Sequence, residues 1–141
     1  MLRTYHPLQP SPTGFYLASI LECTSSDVSG DDVQVWENTH LIQAESPKAA
    51  LEEAIRIGEA KEREYQGEGG CICRVSFGGI TRLSPVHENL ESGAEIHWLD
   101  LTGINESVLA KRVAGKTVEE AYAFFDQINE EDSEYPPSGS I

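Results

Sequence analysis

Cys71 and Cys73 stand one residue apart in "GGCIC", a spacing that puts both sulfurs on one face of a strand. With Cys23 and a histidine they would make up a four-ligand zinc set. The same face would also hold Val75 and Phe77, so two reduced, buried, apolar cysteines are the simpler account. No metal and no cofactor are expected. His6, His40, His87 and His97 show no i, i+4 pairing that would bring two imidazoles together on a helix. "GEGG" and "FGGI" lack the lysine and the spacing of a phosphate cradle, and no serine sits in a nucleophile elbow. The carboxylates read as helix-surface charges, and no acid–base pair stands out among them. The chain is therefore not expected to be an enzyme.

What remains is charge. The 141 residues include 24 acidic and 10 basic side chains, for a net charge of −14. Such a surface repels nucleic-acid phosphates and anionic lipid and favours encounter with basic partners. Asp27, Asp31, Asp32 and Glu37 gather around one connector and are the candidate partner-binding residues. No apolar run approaches the roughly 20 residues of a membrane span. The first residues lack the apolar stretch of a signal peptide. The cysteines number 3, an odd count without framework spacing. Together these features predict a reduced, cytoplasmic protein that binds neither nucleic acid nor membrane.

The elements that must position these residues follow from periodicity. Residues 1–13 carry Pro7, Pro10 and Pro12 and read as an extended arm. "GFYLASILEC" (14–23) is apolar on both alternating faces, which predicts a central strand. "VQVWENTHLIQA" (33–44) is a second strand whose apolar phase changes, as a bulge near Asn38 would produce. Ser46 caps and Pro47 opens a helix over 46–65, with an apolar stripe of Ala50, Leu51, Ala54, Ile55 and Gly58. Glu52 with Arg56 and Glu59 with Arg63 are favourable pairs on its exposed face. Strands follow over 71–83, with a bulge or bend at Gly78-Gly79, and over 94–101.

The predicted fold is α+β: a mostly antiparallel sheet of about four strands, β-β-α-β-β, with one helix packed on it and a C-terminal helical extension. The core domain spans 14–102 and the helical extension 103–129. Residues 130–141 form an acidic tail that reads as disordered. Within the extension, Asn105 caps one helix, and Thr117 with Glu120 forms a capping box for another over 117–128. On that second helix Tyr122, Phe124 and Phe125 make a stripe wide enough for a homodimer contact.

"FYLASILE", "WENTHLIQAESPKAALEEAIRIG", "GGCICRVSFGGITRL" and "NLESGAEIHW" together resemble the bacterial domain-of-unknown-function family 4288, over about residues 14–100. The resemblance implies a small cytosolic α+β domain and no assigned activity. On the residues themselves, the leading expectation is a non-enzymatic protein-binding module, an immunity-like inhibitor of a basic bacterial toxin. The alternative is a small-molecule or nucleotide sensor, with a pocket between sheet and helix lined by Tyr16, Trp36 and Trp98.

Overall fold

A computed structural model describes residues 9–122. The chain divides between His97 and Trp98 into two compact units. The first holds one antiparallel sheet and one long helix. Its elements are β1 (Phe15–Ser26), β2 (Gln34–Gln43), α1 (Pro47–Ala60), β3 (Arg63–Gln66) and β4 (Ile72–Pro85), with a 3-10 turn at Glu68–Gly70 before β4. The 4 strands lie in the order β2-β1-β4-β3. β1 is central, and Tyr16 through Ile20 are all buried, so both of its faces are covered there.

Directly opposed residues share a sheet face, and the register sorts the side chains. On the face that carries α1 lie Tyr16, Ala18, Ile20 and Glu22 of β1, with Trp36, Asn38, His40 and Ile42 of β2. On the other face lie Leu17, Ser19 and Leu21, with Val35, Glu37, Thr39 and Leu41. The expected bulge near Asn38 is absent, because β1 and β2 pair without interruption from Phe15–Gln43 to Thr24–Gln34. The register shifts instead between β1 and β4, where Thr81 and Gly78 have no partner in the ladder. The bend at Gly78-Gly79 thus has a packing cause: a Cβ at Gly78 would stand 2.9 Å from Leu21 Cβ.

Ser46 caps α1 by accepting a hydrogen bond from the Ala49 N–H at 3.1 Å, and Pro47 occupies the first turn. The stripe that α1 buries is narrower than its sequence implies. Ala50, Ala54 and Gly58 are buried and Ile57 is partly so, whereas Leu51 is 39% exposed. Small residues at i, i+4 and i+8 form the buried line, and Leu51 lies about 100° around the helix from Ala50, towards solvent. α1 ends at Ala60 rather than at residue 65, because Arg63–Gln66 leave it to form β3. The exposed pairs change accordingly: Arg56 pairs with Glu53, and Arg63 Nη1 lies 3.9 Å from Glu22.

The fourth strand is therefore β3, not 94–101, which among the described residues pairs with no strand. Ala94 N donates to Glu91 O at 3.0 Å across a turn with Gly93 at φ 91°. Ser11 and Thr13 are not an extended arm either. Ser11 Oγ and Thr13 Oγ1 both donate to the Val86 carbonyl at 2.7 Å, and the Tyr16 hydroxyl accepts from Ser11 N at 2.8 Å. The rest of the expected arm, 1–8, lies outside the described residues.

The second unit contains α2 (Glu106–Arg112) and α3 (Val118–Ala121). Asn105 caps α2 through Ser107 N at 2.8 Å, and Thr117 caps α3 through Glu120 N at 3.1 Å. Described α3 stops at Ala121, and Tyr122 behind it is exposed. Phe124, Phe125 and the expected tail lie outside the described residues.

Candidate functional site

The acidic residues singled out by sequence fall into two places. Asp27, Asp31 and Asp32 sit in the exposed connector between β1 and β2. Asp27 is tied to the start of β4: its N–H donates to Ile72 O at 3.0 Å, and its Oδ1 accepts from Ile72 N at 2.9 Å. Asp31 Oδ2 accepts from Ser26 Oγ at 2.7 Å. Glu37 lies apart from them, opposite Leu21 on the face without the helix, where it accepts from Thr81 Oγ1 at 2.8 Å.

Beside the connector runs β2, an edge strand. Among the described residues its ladder is filled by β1 on one side only, and the other edge of the sheet is the short β3. Most of β2 is exposed, and its apolar side chains show on both faces: Val35 at 56%, Trp36 at 46% and Leu41 at 50%. It has 10 residues and contains no proline and no lysine. An edge of this kind offers unpaired backbone groups to a further strand. Sequence periodicity marked β2 as a strand but carried no signal for its edge position, which the topology decides.

Three aromatics were expected to line a pocket. Tyr16 is buried at 1%, with its hydroxyl already bonded to Ser11 N. Trp36 pairs opposite Glu22, far along β1 from Tyr16, so the sheet does not bring these two together. Trp98 belongs to the second unit. A groove of ≈ 220 Å³, open solvent included, does open where α1 meets the sheet, lined by Ile20, Glu22, Asn38, Gly58, Lys61 and Phe77 among others. That is smaller than the about 300–1,000 Å³ of small-molecule sites, and it contains none of the three aromatics.

Polar side chains at the rim of this groove satisfy one another. Asn38 donates to Glu22 Oε2 at 2.9 Å, and Lys61 Nζ meets His40 Nε2 at 3.3 Å. Burial first, then the Lys61 charge, lowers the His40 pKa below its ordinary value, with Glu22 opposing. Across the sheet, Arg82 Nη1 donates to His97 Nε2 at 2.8 Å. Burial first, then Arg82, lowers the His97 pKa as well. A neutral imidazole that accepts from a cation is fixed as a base with no proton to give at that nitrogen. In both pairs the contact holds the imidazole against a cationic side chain.

No group of three or more His, Cys, Asp or Glu among the described residues is placed to hold a metal ion. Among the same residues, no helix is long and apolar enough to cross a membrane. Comparison with the curated proteins and with the solved structures gives no match. The model of one family, described as a domain of unknown function (DUF4288), matches residues 15–98, and the chain belongs to that family.

Proposed function

We propose that this member of the DUF4288 family is a non-enzymatic protein-binding module, an immunity-like inhibitor that docks on a basic toxin domain. The observation that carries the reading is the long exposed edge of β2 next to the acidic connector. A partner strand added to this edge gains backbone hydrogen bonds, and Val35, Trp36 and Leu41 supply apolar contacts at alternating depths. Asp31, Asp32 and the net charge of −14 supply the steering. A nuclease toxin is basic where it grips nucleic acid, so its cleft suits such a partner. The proposed setting is the cytoplasm.

The test starts by capturing a basic protein from the source cell on the immobilised chain. Its association is then measured across a salt series. Exposed charges are screened beyond about 10 Å at 0.1 M ionic strength, so association should slow as salt rises. Reversing Asp31 and Asp32 to Lys should slow association more than it speeds dissociation. Val35→Lys with Leu41→Lys, which places charge on the edge, should chiefly speed dissociation. Rates indifferent to salt and to both pairs of substitutions would refute the proposal.

A further inference from the structure

Cys71 Sγ and Cys73 Sγ stand 3.9 Å apart at the turn between β3 and β4, and both residues are half-buried rather than sealed in the core. The sulfurs converge on Gly67, where a Cβ would lie 2.9 Å from Cys73 Sγ and 3.0 Å from Cys71 Sγ. Gly67 itself is held in place, since its N–H donates to the Cys71 carbonyl at 2.8 Å. Between the two cysteines, Ile72 has both backbone groups bonded to Asp27 of the acidic connector.

We propose that Cys71 and Cys73 form a reversible disulfide site, and that closing it loosens the bond between Ile72 and Asp27. Two residues apart on an extended strand, the Cα atoms are about 6.6 Å apart at about 3.3 Å per residue. A disulfide accepts about 4.4–6.8 Å and favours about 5.5–6 Å. Closure therefore draws the chain together around Ile72 and bends the segment that Asp27 clamps. A disulfide at the edge of its geometric range is readily reduced again, which makes the site reversible.

The oxidant is a small disulfide such as oxidised glutathione. One cysteine thiolate attacks a sulfur of that disulfide, breaking its S–S bond and releasing one small thiol. The second cysteine loses its proton to solvent and attacks the protein sulfur of the mixed disulfide, releasing the second small thiol. Two electrons pass from the protein pair to the small disulfide, and two protons end on the released thiols. Partial burial first, then the neighbouring Cys73 and the Asp27 charge, hold the Cys71 thiol above its ordinary pKa. Cys71 is thus kept as a thiol near neutrality and exchanges slowly, so the reaction is followed over hours at mildly alkaline pH.

The full chain is incubated with glutathione mixtures of graded oxidised fraction and read by intact mass, peptide mapping and amide hydrogen exchange. The expected product lacks two hydrogens, maps to a Cys71–Cys73 cross-link, and reverts with dithiothreitol. Cys23→Ser should behave alike, and Cys73→Ser should stop at a glutathione adduct. The Ile72 amide should exchange several-fold faster in the oxidised protein. Persistent glutathione adducts on the unaltered chain, or a cross-link through Cys23, would overturn the site. A Cys71–Cys73 cross-link with unchanged Ile72 exchange would overturn its link to the connector. No binding partner enters the measurement, so its failure leaves the proposed function standing.

Discussion

Gly58 of α1 packs against the Cδ1–Cε1 edge of the Phe77 ring in β4: a Cβ built on it would stand 2.6 Å from Phe77 Cε1 and 3.2 Å from Ile20 Cγ2. The helix contains glycine here because the sheet leaves no room for a methyl group. Forcing extra atoms into a packed site costs about 1–3 kcal/mol. Alanine gains about 1 kcal/mol over glycine in a helix interior, so the clash dominates. Gly58→Ala is expected to lower the urea midpoint, and Gly58→Ala with Phe77→Leu to recover part of the loss. An unchanged midpoint in the single variant would show that the ring moves aside freely.

Leu51 and Ala54 should respond in opposite ways to expectation from size. Leu51 is 39% exposed, so Leu51→Ala should cost less than the about 2–5 kcal/mol of a buried truncation, and under about 1 kcal/mol. Ala54 is fully buried in the core cluster, and Ala54→Val should cost about 1–3 kcal/mol by overpacking. Denaturant curves on both variants check the pair. A large loss at Leu51 with none at Ala54 would place the helix on its other face.

Mild acid should weaken the fold through its histidines. The His97 and His40 pKa values lie below their ordinary position in the folded chain. Unfolded histidine titrates near about 6.5. Below that pH the unfolded chain takes up protons that the folded chain refuses, so stability falls as pH drops through 6.5 towards the folded-state values. Above about 6.5 this contribution is flat. A proton on His97 Nε2 would also face the Arg82 N–H that it now accepts from. Melting temperature measured between pH 7.5 and 5 should decline for the native chain and decline less for His97→Gln. Equal slopes would remove His97 from the account.

Some of this architecture is legible in the residues alone. The central strand showed itself because β1 is buried on both faces, and the N-caps at Ser46, Asn105 and Thr117 are local hydrogen-bonding patterns that tertiary structure leaves intact. β3 was hidden because "REYQ" is exposed at every position and so has no apolar period. It is a strand only because it turns back onto β4. Residues 94–101 failed in the opposite way: alternation gives a segment two faces but does not decide whether it joins a ladder, and among the described residues 94–101 join none. The candidate site depends on the same missing information. The acidic connector could be read, but the exposure of the β2 edge follows from strand order, and the convergence of the two thiols on Gly67 follows from a turn between elements that the sequence did not separate.

The double hydrogen bond onto the Val86 carbonyl has a kinetic consequence. Ser11 and Val86 are 75 positions apart in the chain. Holding two such distant points together before the intervening sheet exists carries a large loop-closure entropy, whereas the neighbouring β1 and β2 need close only a short connector. The contact should therefore form after the rate-limiting step. Ser11→Ala is expected to cost about 0.5–1.5 kcal/mol, the usual net value of one hydrogen bond. Nearly all of that loss should appear as faster unfolding, with the refolding limb of the chevron almost unmoved. In that sense the clasp sets how long the finished sheet persists, and contributes little to how quickly it is found.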